Sequence, residues 1–221
     1  AAKEAEADVK AKDAELAEAK KANFDRVSQL HPDMPQLLQL IEKHKSKFQT
    51  KPLGPLGNNI SIKSDFEHLS AAIELAIGRP FLLAFAVFSN DDEKVLRKVL
   101  EEVRPCQRMA KAPPQFQLRN MLRVGIRSQQ ARFTLAQRPK NAPTALMQTL
   151  DITAKGRDAD MWFNFLCDSC NAEHRMVFTD PEEAQKAVWK SKQQNADGFV
   201  CAGFGKEPRK VIKRGNTTGS E

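Results

Sequence analysis

Acidic residues are missing from a long central stretch of the sequence. Neither Asp nor Glu occurs from Val103 to Leu150, the basic window, although the chain has 28 of them against 35 Lys and Arg. The window contains nine basic residues: Arg104, Arg108, Lys111, Arg119, Arg123, Arg127, Arg132, Arg138 and Lys140. Without these nine, the chain has 26 basic residues against 28 acidic ones, so its net positive charge comes from the window. Segregated positive charge suits a polyanion, because each neutralised phosphate releases counterions.

We therefore predict nucleic-acid binding by the basic window and by a smaller cluster near the end of the chain. That cluster has one acidic residue, Glu207, among the basic residues Lys206, Arg209, Lys210, Lys213 and Arg214. The competing interpretation is a set of surface charges that serve only solubility. Phe116 and Phe133 are candidates for stacking on single-stranded bases, although core packing is the role that we expect for both.

Long hydrophobic runs are also missing. No apolar run approaches the roughly 20 residues that cross a bilayer, and no basic segment followed by an apolar one opens the chain. We expect a soluble protein with no membrane partner, and its start at Ala1 suggests a piece of a longer chain. Its 221 residues suffice for one domain with an appendage or for two small domains, and 41% hydrophobic residues allow a packed core.

Cysteine is scarce, and its placement argues against a metal site. Four cysteines in a chain without secretory features indicate reduced thiols. Cys167, Cys170 and His174 would share one helical face, with Cys201 further along, but a second closely spaced pair of ligands is missing. We therefore predict core thiols, with no metal and no cofactor.

Catalytic signatures are equally scarce. The four histidines do not combine with a cysteine nucleophile and an orienting group, and no G-x-x-x-x-G-K-[ST] phosphate-binding loop occurs. We predict no catalytic residue, and an enzyme of unrecognised type is the last of three hypotheses about function.

Glycine is missing from the first 50 residues. The opening AAKEAEADVKAKDAELAEAKKA consists of strong helix formers with mixed charge, which predicts one long helix. Its apolar positions form a weak, alanine-rich heptad pattern, so we favour a coiled-coil arm over a solvated single helix. Pro32 interrupts the pattern, and Pro35 suits the first turn of a second helix, which we predict through Lys47.

The first glycines of the chain stand in KPLGPLG, residues 51–57. Its two prolines exclude a continuous helix, and the segment lacks the N–H donors and the following lysine of a phosphate-binding loop. The spacing fits two successive type I turns, each with proline second and glycine fourth. We interpret the segment as a structural joint that is made by Pro52, Gly54, Pro55 and Gly57.

Alternating strand and helix patterns follow this joint. NISIK predicts a strand, Ser64 with Glu67 a capping box for the helix DFEHLSAAIELAI, FLLAFAVF a buried strand and SNDDEKVLRKVLEEV an amphipathic helix. In the later half, MWFNFLCDSC predicts a helix, HRMVF a strand, Thr179 with Glu182 a capping box for PEEAQKAVWKSK, and GFVCAGF a strand. RNMLRVGIR and ARFTL alternate weakly, which favours strands. The pattern predicts an α/β fold with two small αβ lobes.

Two stretches of the sequence resemble the hinge of structural maintenance of chromosomes (SMC) proteins, most closely that of the sixth eukaryotic member. HPDMPQLLQLIE and the run from FQTKPLGPLG to KVLRKVL match the P-x-G-P-x-G turn, the helix that ends in a glycine, here Gly78, and the apolar strand before Ser89 and Asn90. NAEHRMVFTDPEEAQKAV and NADGFV are similar to the second hinge lobe. The stretch from about Cys106 to Gln130 departs from the family pattern, so DNA contacts are not carried over to it.

The resemblance implies an SMC hinge, a dimerisation domain at the end of a long antiparallel coiled coil. It implies heterodimerisation with the hinge of the fifth member, in a nuclear, chromosome-associated complex for chromosome maintenance, DNA repair and recombination. It also implies binding of DNA without sequence specificity and with preference for single strands, while the ATP-binding heads lie elsewhere in the parent protein. Because glycines allow backbones to approach closely, the candidates for the partner interface are Gly198, Gly203 and Gly205.

We combine the resemblance with the patterns into five predicted segments. Residues 1–50 are a coiled-coil arm with lead-in helices, 51–105 hinge lobe one, 106–140 a basic connecting segment, 141–205 hinge lobe two, and 206–221 a basic exit segment. The alternative is a free-standing, basic RNA- or DNA-binding module with a helical arm, for which no sister hinge exists.

Overall fold

The computed structural model describes residues 12, 25–126, 132–135, 142–190, 197–200, 207–214 and 217–220. The chain divides into two compact units: unit 1 comprises Ala1–Pro52 and Ser89–Leu122, and unit 2 comprises Leu53–Phe88 and Arg123–Glu221. Most of the predicted coiled-coil arm lies outside the described residues, and residues 25–30 are helical. The bounds of the five predicted segments stay a prediction.

The secondary structure mixes short strands with helices, and the predicted α/β fold is confirmed. The α-helices are α1 Met34–Lys43, α2 Ser70–Ile77, α3 Arg79–Leu82, α4 Asn90–Glu101, α5 Gln107–Ala110, α6 Leu118–Met121, α7 Arg157–Cys170 and α8 Pro181–Lys190. The strands are β1 Ile60–Ile62, β2 Phe85–Val87, β3 Val124–Ile126, β4 Leu150–Ile152, β5 Met176–Phe178, β6 Asp197–Val200, β7 Arg209–Arg214 and β8 Thr217–Ser220. Short 3₁₀ helices cover Lys45–Lys47, Leu56–Asn58, Ser64–Leu69, Pro114–Phe116 and Leu146–Gln148.

Unit 1 is helical, and its two longest described helices, α1 and α4, pack against each other. Helix α1 has Pro35 in its first turn and buries Met34, Leu37 and Ile41, which recur at helical spacing. It ends at Lys43, and the remainder of the predicted helix is 3₁₀. Helix α4 begins at Asn90, within the predicted helical segment, and the Ser89 hydroxyl caps it by accepting a hydrogen bond from the Asp92 backbone N–H at 3.0 Å.

The described residues of unit 2 form three small sheets. Strands β1 and β4 pair antiparallel, β2 and β3 pair parallel, and a third sheet has the order β5-β6-β7-β8. Within the third sheet, β5 and β6 are parallel and the remaining pairs are antiparallel. Helix α7 supplies Trp162, Phe165 and Leu166 to a buried cluster that also contains Ile73 and Ala76 of α2. A second cluster comprises Met176, Phe178, Ala184, Val188 and Val211.

Several predicted elements need correction. FLLAFAVF is a strand only over Phe85–Val87, because its first residues complete α3, which begins after Gly78 with Pro80 in its first turn. RNMLRVGIR divides into the end of α6 and strand β3, and residues 132–135 of ARFTL form no strand. The sequence G-R-P at residues 78–80 could have identified the start of α3, because proline favours the first turn of a helix.

Both predicted capping boxes are wrong. Lys63, with extended backbone angles, is the residue before the 3₁₀ helix, so Ser64 already stands inside it and its hydroxyl donates to Asp65 instead. At α8 the cap is Asp180, whose carboxylate accepts a hydrogen bond from the Glu182 N–H at 2.8 Å. Helix α2 ends at Gly78 as predicted, and the φ of 86° at Gly78 favours glycine.

The predicted pair of type I turns in residues 51–57 is also wrong. Leu53 pairs with Ala86 as an isolated antiparallel bridge, with N–H to O distances of 2.9 and 2.8 Å. The Gly54–Pro55 peptide bond is cis, and a 3₁₀ helix follows it. Gly54 has a φ of 150°, and a Cβ there would lie 2.7 Å from the Phe85 ring. Glycine is therefore favoured at this position by the close packing and by the positive φ.

Candidate nucleic-acid interface

Four of the predicted DNA-binding residues lie in the described part of unit 1. All four side chains are exposed: Arg104, Arg108, Lys111 and Arg119. Among the described residues, the ion pairs of unit 1 involve other cations, such as Lys45, Lys94 and Arg97. Only Arg119 has a described side-chain partner, Gln117, whose Oε1 accepts from its Nε at 3.1 Å. These guanidinium and ammonium groups are therefore available to an anionic ligand.

Two buried polar residues hold this stretch of the basic window. The carboxylate of Asp33 accepts a hydrogen bond from the Cys106 N–H at 2.8 Å. His31 Nε2 lies 3.0 Å from the Phe116 carbonyl oxygen. Nδ1 of the same ring accepts from the Asp33 N–H at 3.1 Å, so we assign the ring hydrogen to Nε2, which donates to Phe116. Both anchors are buried, at 1% exposure for His31 and 3% for Asp33.

Phe116 does not pack in a core, so that prediction is wrong. Its side chain is 50% exposed at the end of the 3₁₀ helix Pro114–Phe116. Asn120 Nδ2 donates to the Pro114 carbonyl oxygen at 2.5 Å and holds this turn against α6. Phe133 is partly buried in unit 2, and its N–H donates to Asn164 Oδ1 at 2.8 Å. Composition alone could not separate these two phenylalanines.

In unit 2 the predicted basic residues have varied surroundings. Arg123 is exposed, and its carbonyl oxygen accepts from the Phe85 N–H at 2.9 Å. Arg132 is exposed with its Cζ 3.9 Å from the centre of the Phe163 ring, which is cation–π geometry. In β7, Arg209 is exposed and Lys210 is partly buried. Lys213 and Arg214 also lie in β7, whereas four predicted residues lie outside the described part of the chain: Arg127, Arg138, Lys140 and Lys206.

Gly198, a candidate for the partner interface, is buried inside unit 2. It lies in β6 between β5 and β7, opposite Met176 and Val211. A Cβ at this position would lie 2.9 Å from Val188 Cγ2 and 3.2 Å from Phe178 Cε2. The close approach that this glycine allows is therefore internal, and its part in a partner interface stays a prediction. Gly203 and Gly205 lie outside the described residues.

The thiols of α7 are buried. Burial, together with the negative charges of Glu173 and Asp168, raises the pKa of the Cys167 thiol to about 11. A thiol in this state is a poor nucleophile, because the thiolate is the reactive form. Among the described residues no group of three His, Cys, Asp or Glu side chains could hold a metal ion. Cys201 lies outside those residues. No described helix is long and apolar enough to cross a bilayer.

The arrangement of helices and small sheets matches a known class of domain. No protein-family model matches the chain. The crystal structure of the Schizosaccharomyces pombe Smc5/6 hinge domain aligns with a TM-score of 0.64, over 96% of this chain and 74% of that chain, at 18% identity. The fold is that of an SMC hinge domain.

Within that class, the sequence is similar to the sixth member. Structural maintenance of chromosomes protein 6 of Saccharomyces cerevisiae is 36% identical over 78 residues, which are 35% of this chain. The protein of the same name from Schizosaccharomyces pombe is 35% identical over 78 residues. These matches and the fold confirm the predicted resemblance to a hinge of the sixth-member type. The chain covers 6% of the length of each of these two proteins.

Proposed function

We propose that this chain is a dimerisation hinge that pairs with the hinge of the fifth SMC member. The hinge fold supports the general role of dimerisation with an SMC partner. The similarity to the sixth member, together with the solved Smc5/6 hinge domain, supports the choice of the fifth member. In this proposal the parent protein acts on nuclear chromosomes in DNA maintenance, repair and recombination, and its ATPase heads lie in other parts of the parent.

The proposal includes DNA binding by the basic window, without sequence specificity and with preference for single strands. The observation that carries this part is the exposure of Arg104, Arg108 and Lys111 in a stretch that contains no acidic residue. Phosphate neutralisation by such side chains provides affinity without reading the bases. The hinge itself performs no catalysis in this scheme, and binding needs no cofactor.

The mass of the chain in solution tests the dimerisation. Multi-angle light scattering of this chain, alone and mixed with the hinge of the fifth member, should give a stable one-to-one complex in the mixture. A chain that keeps its monomer mass in the mixture would contradict the hinge role. If such a monomer still bound nucleic acid, the alternative of a free-standing RNA- or DNA-binding module would replace the hinge.

The salt dependence of binding tests the DNA contact. The logarithm of the association constant should fall linearly with the logarithm of salt concentration, with a slope near −4 if about five phosphates are neutralised. A flat response would contradict electrostatic binding. Single strands and duplexes of equal length, measured at the same salt concentration, test the predicted preference.

A further inference from the structure

Phe116 combines solvent exposure with a position inside the basic window. Its side chain is 50% exposed, and among the aromatic side chains whose burial the structure describes only Trp189, at 48%, has comparable exposure. The other phenylalanine side chains of that set are buried or partly buried. An exposed aromatic ring with no acidic residue in the surrounding 48-residue window suits a ligand that is both flat and anionic.

The backbone that carries Phe116 is held in place from two directions. Within the segment, the Phe116 N–H donates to the Pro113 carbonyl oxygen at 2.9 Å, and Asn120 Nδ2 donates to Pro114. From α1's side of unit 1, the buried His31 ring donates to the Phe116 carbonyl oxygen. The backbone is therefore ordered before any ligand arrives, which reduces the entropy lost on binding.

Cations stand on both sides of Phe116 in the chain. Lys111 precedes it by five residues and Arg119 follows it by three, and both side chains are exposed. Because a fully extended residue spans at most about 3.6 Å, the Cα atoms of Phe116 and Arg119 lie within roughly 11 Å. This distance allows one ligand to contact an aromatic ring and a guanidinium at the same time.

We propose that Phe116 stacks on an unpaired base of single-stranded nucleic acid while Lys111 and Arg119 contact the flanking phosphates. In a duplex, each base face is covered by its neighbours, so a ring of this kind should contribute mainly to single-strand binding. This inference rests on the proposed function of the basic window and names the residue that would provide its strand preference. An acidic peptide with apolar side chains is the competing ligand.

The test compares Phe116→Ala with wild type in the full 221-residue chain. Binding to an oligothymidylate of about 30 nucleotides and to a duplex of equal length is measured by fluorescence anisotropy. We expect the single-strand affinity to fall by about 5- to 150-fold, as for loss of one base–aromatic stack. Duplex affinity and the salt slope should stay unchanged, because no charge is removed.

Three control variants separate stacking from other effects. Trp189→Ala removes an equally exposed ring outside the basic window and should leave binding unchanged. Phe116→Tyr should retain affinity because its ring can stack, whereas Phe116→Leu should lose it although the apolar bulk remains. His31 donates to the backbone carbonyl of residue 116. The Ala, Tyr and Leu substitutions at position 116 therefore leave this hydrogen bond available.

Each remaining outcome has a definite meaning. Equal single-strand binding by Phe116→Ala and wild type would overturn the stacking proposal while the proposed DNA binding stands. Equal loss on single strand and duplex would overturn it as well, because it would indicate a change in the shape of the window. Failure of the wild-type chain to bind either DNA would contradict the proposed function itself. If Phe116→Ala lost binding to a protein partner while its DNA affinity stayed unchanged, stacking would be overturned and a peptide ligand favoured.

Discussion

The His31 ring lies 3.0 Å from the carbonyl oxygen of Phe116, a residue 85 positions further along the chain. The ring is 1% exposed, and its other nitrogen accepts the N–H of Asp33. A single buried imidazole thus joins the segment before α1 to the backbone of the basic window at position 116. This contact holds the part of the window in unit 1 in place, although each of its described helices is only three or four residues long.

His31→Ala should destabilise unit 1 by about 2–4 kcal/mol. The substitution leaves the Asp33 N–H and the Phe116 carbonyl oxygen without this partner and opens a cavity. Hydrogen exchange of α1 and α4 peptides, followed by mass spectrometry, measures the loss. His44→Ala is the control, because the Glu102 partner of its 2.9 Å contact is exposed, so the loss of this pair should destabilise the chain less. Equal effects of the two substitutions would contradict the anchoring role of His31.

Gly54→Ala should destabilise unit 2 more than Gly78→Ala. A Cβ on Gly54 would lie 2.7 Å from the Phe85 ring and 2.9 Å from the Ala84 carbonyl oxygen, at a φ of 150°. We expect a loss of about 2–4 kcal/mol from overpacking and backbone strain together. Gly78 has a φ of 86° but its nearest neighbour would be 3.7 Å away, so only the strain of about 1–2 kcal/mol applies.

Urea unfolding of the two glycine variants, followed by circular dichroism, measures this difference. A Gly54→Ala midpoint equal to that of Gly78→Ala would show that the Phe85 ring moves aside at little cost.

Glu42 should titrate far below an ordinary glutamate. Hydrogen bonds from Lys51 and then Lys45 lower its pKa from 4.5 to about 2. Because the folded pKa is below the unfolded one, the stabilisation is present above about pH 4.5 and is lost as the pH falls towards 2. Lys51→Gln should raise the pKa of Glu42 towards its ordinary value. Lys45→Gln should raise it less, and NMR titration of the side-chain carboxyl carbon measures both.

A Glu42 pKa that is unchanged in Lys51→Gln would contradict the 2.7 Å contact between Lys51 Nζ and Glu42 Oε2. The carboxylate is exposed, so the test concerns its titration and not the overall stability of the chain.

Removing unpaired charges should weaken DNA binding more than removing paired ones. The triple variant Arg108→Gln, Lys111→Gln, Arg119→Gln should reduce the salt slope of binding by about 2–3, one phosphate contact for each residue. The control triple variant is Lys45→Gln, Lys94→Gln, Arg97→Gln, whose side chains pair with carboxylates. It removes the same net charge. Equal slopes for the two variants would mean that total charge, and not the basic window, determines binding.

Elements whose signals are local could be predicted from the amino-acid sequence. Helix α4 lies within its predicted segment and α2 ends at its predicted glycine, because helix periodicity and end signals act within a few turns. The absence of acidic residues from the basic window is likewise a property of sequence alone. The resemblance to an SMC hinge was also readable, since the motif of residues 51–57 is compact.

Features that depend on contacts between residues distant in the chain could be recognised only in the tertiary structure. The need for glycine at position 54 comes from Phe85, and the burial of Gly198 comes from Phe178 and Val188. Nothing near Phe116 in sequence indicates that its ring is exposed while its carbonyl is held by His31. Packing pairs side chains regardless of their separation along the chain, so local patterns identify the charges of the candidate site but not the residues that position them.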